Sequence, residues 1–407
     1  MAASASKDVT ILRELARQYV AVCADPIQDK RRKLWADHNS LIKTRPLIYV
    51  RAIVEVPQVD TLYCEDPFYR GYEHYLRHRL YWASLGDDWP HEPWITVQAV
   101  HKCWGWGLSG QRHVTGESGG SWKVDYPIKA LSDIEKLQPP RHEIDEAATA
   151  AAAARLGEAI GDILTINIDR GPAFRMWSAD ISTDLGYLRG IENVMLDMMD
   201  NPRWLHELCA FMGDGILRTH EQAEAAGDWG LCDHENQAIP YARELPAPAA
   251  NVNGVKRRDL WGYMAAQEMT LISPAMHEEF ILQYQLPIMK AFGLTAYGCC
   301  ENLTNKIDML RKIPNLRRIA VAPVADVKRC AEQIGTDYVI SYRPNPAQMV
   351  CVGFEPPKVR KIIREAMEIC RGLHVDITLK DVQTVEHEPD RYPQWVRLVR
   401  EIADDFT

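Results

Sequence analysis

The residues best equipped for chemistry form one short run, Cys299-Cys300-Glu301, directly after the apolar stretch 294–298. That stretch has the length and composition of a strand. A thiolate beside carboxylates suits Zn²⁺, which accepts Cys, His and Asp/Glu donors; a catalytic zinc takes about three protein ligands and keeps one position open. Glu268, Glu301 and Asp381 are the candidates to complete such a set. Each has an alternative partner in Arg170, Arg343 or Lys380. No C-x-x-C spacing supports the metal. Successive strand residues point to opposite faces, so a regular strand would send only one of the two thiols inward.

Other polar groups follow other apolar runs: Asp169-Arg170-Gly171-Pro172, Gln267-Glu268, Ala322-Pro323, Tyr342-Arg343-Pro344 and Lys380-Asp381. In a parallel barrel, chemistry sits where strands end and βα loops begin, which would bring these residues to one rim. Asp169, Arg170, Glu301 and Arg343 are expected to serve the reaction there. Trp177, Trp261 and Tyr342 offer aromatic faces to a flat substrate. His234, a lone histidine, reads as a capping or core residue. The run 70–79 reads as a solvated helix face.

The elements that must hold this rim are legible as an alternation. Apolar runs at 163–168, 263–267, 294–298, 318–322, 337–341 and 375–379 read as strands. Helical patterns lie at 186–200, 202–226, 303–313, 324–335, 356–371 and 392–406, and one starts near Ser273-Pro274. Four consecutive β–α units at the carboxyl end imply a parallel sheet. A (β/α)₈ barrel and a doubly wound sheet both fit, but no G-x-G-x-x-G or P-loop follows any strand. Upstream, 11–22 and 30–39 read as polar helices and 47–50 as a strand. Residues 57–125 carry six of the twelve tryptophans and many Gly and Pro. They read as a loop-rich insertion with little helix, capping one end. The division is thus 1–125 as extension and cap, integral to the barrel, and 126–407 as its main part.

The bulk numbers agree with one large α/β unit: 407 residues, 46% hydrophobic and 25% charged. The charge is 47 − 56 = −9 with no basic stripe, which argues against nucleic acid or anionic membrane as partner. No apolar run approaches the roughly 18 residues of a membrane span. The start, MAASASKDVT, has no apolar core of a signal peptide, so a cytoplasmic location is expected. Ten scattered cysteines then read as thiols, and Cys209 and Cys370, in helical patterns, as small buried hydrophobes.

About residues 160–405 resemble the uroporphyrinogen decarboxylase-like superfamily, and within it the corrinoid-dependent methyltransferase branch of the aryl O-demethylase type. Three segments carry the likeness. Ile168-Asp169-Arg170-Gly171-Pro172-Ala173-Phe174 is similar to a strand-to-loop stretch ending in Gly-Pro-Phe in the methyltransferase members. Ile272-Ser273-Pro274-Ala275-Met276-His277-Glu278-Glu279-Phe280 is similar to the Ser-Pro helix start. Tyr297-Gly298-Cys299-Cys300-Glu301-Asn302 falls where those members carry His-x-Cys-Gly-Asn, whose His and Cys bind zinc. Aligned on Asn302, Cys300 meets the zinc cysteine, Gly298 meets the zinc histidine, and Asp381 lies near the final cysteine ligand.

The resemblance implies a (β/α)₈ barrel and a zinc site of Glu268, Cys300 and Asp381, with Glu301 as substitute. It implies transfer of a methyl group from a small methylated donor, an aryl methyl ether, to Co(I) of a corrinoid carried by a separate protein. Zinc would polarise the ether oxygen as a Lewis acid. Arg343 or Arg170 would pair with a donor carboxylate. A homodimer is left open. The porphyrinogen decarboxylases carry an arginine-rich first strand end, whereas Val50-Arg51-Ala52-Ile53 has no Gly-Arg after it. A metal-free decarboxylase is therefore the alternative, and a non-catalytic binding barrel the third reading.

Overall fold

A computed structural model describes residues 2–51, 53–57, 59, 61–116 and 120–406; Ala52 of the first strand end lies outside the described residues. In chain order the strands are β1 (Leu47–Val50), β2 (Trp94–Gln98), β3 (Gln111–Val114), β4 (Trp122–Asp125) and β5 (Thr165–Asp169). Then follow β6 (Trp261–Met264), β7 (Leu294–Tyr297), β8 (Leu316–Val321), β9 (Val339–Tyr342) and β10 (Val375–Leu379). Six form one parallel sheet in the order β1-β10-β9-β8-β7-β6. The first strand thus lies beside the last, with Val50 opposite Leu379. β2 and β5 make a separate parallel pair, and β3 and β4 an antiparallel hairpin. The eight-stranded barrel expected from the sequence would need ladders from β1 to β2 and from β5 to β6. Neither is present among the described residues.

β1, β6, β7 and β9 are short, mainly apolar runs buried throughout, and β10 is buried throughout although it carries Asp376 and Thr378. Such runs suit parallel strands covered on both faces. The pleat sorts their residues. On β10, Val375, Ile377 and Leu379 join the main core with the helices Pro356–Ile369 and Arg391–Asp404. Asp376, Thr378 and Lys380 point to the other side. There Asp376 accepts from Arg318 at 2.8 Å, Ser341 Oγ at 3.1 Å and Thr378 Oγ1 at 2.9 Å. A second core surrounds β2 and β5, where Leu12, Leu76, Ile95, Val97, Leu156 and Leu164 pack together.

The Trp-rich segment departs from expectation. It holds the 18-residue helix Pro67–Ser84, started by the Asp66 carboxylate accepting from Phe68 N at 2.9 Å with Pro67 in the first turn. Trp82 and Trp89 stack on Tyr49, an aromatic subcore against β1. On the same helix Arg70 and His74 are exposed as expected. Arg79 instead lies 5.0–5.2 Å over the rings of Tyr75, Trp82 and Trp89. Other elements are shorter or shifted. The strand expected at 263–267 is Trp261–Met264, and the helix expected at 303–313 is only Ile307–Leu310. The helix expected at 186–200 is broken into Ser182–Arg189 and Ile191–Asp200. The break is Gly190, at φ +87°, where a Cβ would lie 2.5 Å from the Tyr126 ring. Cys209 and Cys370 are buried, as expected. No helix among the described residues is long and apolar enough to cross a membrane.

Candidate active site

β7 ends at Tyr297, and Gly298 takes φ +101°. A Cβ there would lie 2.7 Å from Leu303 Cδ1 and 3.0 Å from Ala320 Cβ, so the turn requires glycine. The turn ends the strand alternation. Both thiols consequently meet one ammonium: Lys380 Nζ lies 3.2 Å from Cys299 Sγ and 3.4 Å from Cys300 Sγ. The sulfurs are 3.5 Å apart. Asp381 Oδ2 is 3.2 Å from Lys380 Nζ and 3.5 Å from Cys300 Sγ. Cys299 is buried and Cys300 exposed. The bond from Cys300 holds the Cys299 thiol well below its ordinary pKa, against burial and with the charges of Lys380 and Arg343 assisting. Cys300 is pushed up by donating that bond and by burial.

The loop after β7 is fastened from two sides. Arg343, just beyond β9, donates through Nη1 to the carbonyls of Cys299 (2.5 Å) and Gly298 (3.4 Å). Its Nε is buried without a partner among the described residues. Glu301, buried, accepts from Ala266 N at 2.9 Å and Cys299 N at 2.6 Å. Burial raises its pKa, opposed by those backbone bonds. Both oxygens are engaged, so Glu301 ties the β6 and β7 ends together.

Beside this loop stand groups that the sequence reading did not assign to the site. Tyr263 O–H reaches the Gly298 carbonyl at 3.4 Å and receives a short bond from Gln237 Nε2. Gln237 Oε1 is buried without a partner among the described residues. Arg51, at the β1 end, donates to the Gln237 carbonyl at 2.6 Å, and its guanidinium lies 5.7 Å from the Trp177 ring. Trp177, which the sequence did offer as an aromatic face, is 36% exposed and meets Tyr263 edge-on at 6.3 Å. Tyr263 carried a signal, its place in an apolar run, which the shifted strand boundary obscured. Gln237 lies in a long connection with no periodicity to mark it.

The remaining expected site residues lie elsewhere. Glu268 accepts from Ser182 Oγ (2.7 Å), Thr183 Oγ1 (3.2 Å) and Gln267 Nε2 (3.3 Å); none of these bonds leads to Cys300. Arg170 pairs with Glu146 and Asp228. Asp169 accepts from Arg175 at 2.8 Å, and the same guanidinium serves Asp233 at 2.8 Å and Glu235 at 3.7 Å. Burial pushes Glu235 up to about 7 despite Arg175. Trp261 is fully buried, its indole N–H bonded to the Pro240 carbonyl at 2.7 Å. Tyr342 is buried in the main core, on the side of β9 opposite Arg343. His234 caps β6: its Nδ1 accepts from Trp261 N at 3.1 Å and its Nε2 donates to the Pro246 carbonyl at 3.1 Å.

These positions bear on zinc. Of the expected trio, Cys300 and Asp381 meet and Glu268 is occupied by hydroxyls. Among the described residues, no group of three or more His, Cys, Asp and Glu is placed to hold a metal ion. A cation, Lys380, already stands within 3.4 Å of both sulfurs and the carboxylate. The residues fit an ammonium-centred cluster rather than a resident zinc.

In fold, the chain is similar to a methyltransferase from Methanosarcina mazei, with a TM-score of 0.52 and 12% identity over 92% of this chain and 98% of that one. At that identity the likeness speaks to fold alone. No protein-family model matches the chain, and no curated protein matches its sequence.

Proposed function

We propose that the eight parallel strands close into a (β/α)₈ barrel and that its rim transfers a methyl group from an aryl methyl ether to the Co(I) of a corrinoid carried by a separate protein. Pairing of the first strand with the last, and a β2–β5 pair to fill the gap between β1 and β6, support the closure. The observation that carries the functional reading is the meeting of Arg51, Tyr263, Cys299, Arg343 and Lys380 from five strand ends. Reactions in barrels are built at such ends. The fold likeness to a methyltransferase and the sequence resemblance to the corrinoid-dependent branch add to it.

An ether releases its methyl group only if charge forming on the departing oxygen is met. Lys380 is the group for this. One of its three N–H groups, turned from a sulfur to the substrate, can hydrogen-bond the ether oxygen and give a proton to the phenoxide as the carbon–oxygen bond breaks, the methyl passing to cobalt. The thiols and Asp381 hold the ammonium in place. Trp177 and Tyr263 form an aromatic wall, and Arg51 and the free Nε of Arg343 can receive a carboxylate on the ring. Asp169 and Arg170, held in ion pairs, position the loop after β5. Ten free cysteines suit a reducing, cytoplasmic compartment.

The test supplies a reduced corrinoid protein from the same operon and a methoxybenzoate, and follows the corrinoid spectrum from Co(I) to methyl-Co(III). Lys380→Met is expected to slow the change by about 10²–10⁴-fold, the usual contribution of a positioned proton donor. Failure of every methylated donor to alkylate any such corrinoid protein would overturn the reading. The cations Arg51, Arg343 and Lys380 at the strand ends favour one second reading, a metal-free decarboxylase. Carbon dioxide released from a carboxylated substrate without corrinoid would establish it instead.

A further inference from the structure

We propose that Cys299 and Cys300 are a thiol–disulfide exchange site for small-molecule disulfides, closing reversibly into a bond between the two neighbours. The proposal stands on the placement of the sulfurs and does not depend on methyl transfer. The two Sγ atoms are 3.5 Å apart, so closure to the usual ~2.05 Å asks for about 1.5 Å of movement. Their exposures differ in the way sequential exchange needs. Cys300 is open to an incoming disulfide, and Cys299 lies buried directly behind it. Lys380 Nζ is within 3.4 Å of both sulfurs and can steady negative charge on either as it attacks or is formed.

The steps balance. Cys300 hands its proton to the Cys299 sulfur, 3.5 Å away, and attacks R–S–S–R as the thiolate, forming Cys300–S–S–R and releasing one RS⁻. Cys299 sulfur then attacks Cys300 Sγ, forming the internal disulfide and releasing the second RS⁻. The external disulfide gains two electrons and, as two thiols, the two protons that the cysteines lose. The ring is strained. Adjacent Cα atoms are ~3.8 Å apart, below the ~4.4–6.8 Å common in disulfides. Strained disulfides have more oxidising potentials and are the labile ones, so the bond opens readily with a reductant. Closure also removes both sulfurs as partners of Lys380 and leaves its ammonium to Asp381. Among the other cysteines only Cys103 and Cys232 are partly exposed; the remaining six are buried.

The experiment treats the folded full chain with oxidised glutathione and locates products by intact mass and peptide mapping. The expected product is the peptide carrying Cys299 and Cys300 short of two hydrogens, with no lasting adduct and full reversal by dithiothreitol. Cys299→Ser is expected to trap glutathione on Cys300, and Cys300→Ser to leave the segment unmodified. Lys380→Met should slow closure while adducts at Cys103 and Cys232 form at the wild-type rate. A wild-type protein that keeps glutathione on Cys300 would overturn the proposal. So would a pair left untouched while Cys103 and Cys232 react, or a Cys300→Ser variant modified at Cys299 as fast as the wild-type segment.

Discussion

Replacing Glu301 by glutamine separates a clamp from a catalyst. The carboxylate is 1% exposed and both oxygens accept backbone N–H groups, from Ala266 and from Cys299. Glutamine offers one oxygen and one NH₂. One bond survives, and the other becomes a buried donor facing a donor. A buried polar group left unpaired costs about 1–3 kcal/mol. Neutralising a carboxyl whose pKa burial has already raised returns part of that, so a net loss of about 2 kcal/mol is expected. The unfolding entropy of 407 residues, at about 2.1 cal/mol/K each, is near 0.9 kcal/mol/K, so Tm should fall by about 2–3 °C. Scanning calorimetry reads this. Thiol exchange at Cys299–Cys300 should change with it, because the lost bond holds the Cys299 backbone. An unaltered melting temperature with unaltered exchange, but abolished turnover, would refute the clamp and make Glu301 a catalytic group.

Two further outcomes follow from buried charge. Glu235 is raised to about 7, so its ordinary ionisation is penalised in the folded state. The stability that this represents is full below pH ~4.3 and lost as pH rises through about 7. Glu235→Gln should flatten that slope, leaving urea stability nearly unchanged at pH 4.5 and raising it at pH 8; a variant with the wild-type slope would show that the shift is absent. Arg318→Met should cost about 3–5 kcal/mol by stranding Asp376, which is fully buried. Adding Asp376→Leu should recover much of it in urea unfolding, whereas costs that simply add would deny the coupling.

The β–α rhythm of the carboxyl half was legible because parallel strands buried on both faces are largely apolar, and 375–379 matched to the residue although Asp376 and Thr378 interrupt its apolar residues. The Trp-rich segment was misread although Asp66-Pro67 is a helix start; Gly71 and dense aromatics masked an 18-residue helix whose buried side carries Tyr69, Leu76 and Trp82. The rim was half legible. Cys300, Asp381 and Arg343 meet there, and Lys380 was expected on the rim but given no role beyond pairing with a carboxylate. Trp261 and Tyr342 lie in cores, which composition could not foretell because it does not reveal which way a strand residue points. Glu268 bonds away from Cys300 because Ser182 and Thr183, its partners, come from a helix that the sequence did not place beside it.

The departure at Gly298 and the ammonium at Lys380 are two sides of one arrangement. In the methyltransferases that the sequence resembles, this position is a zinc-binding histidine. In this chain any side chain at 298 would sit at φ +101° and strike Leu303 and Ala320. The same left-handed turn is what stops the strand alternation and brings Cys299 alongside Cys300 under Lys380. Where those proteins place a metal ligand this chain has none, and the charge of the sulfurs and Asp381 is met by the Lys380 ammonium. For the proposed reaction the two devices answer one demand, since each places positive charge where a departing oxygen becomes negative. They differ in what they spare the site. An ammonium needs no metal loading, keeps both thiols free for exchange, and couples the charge of the rim to the redox state of the pair beneath it.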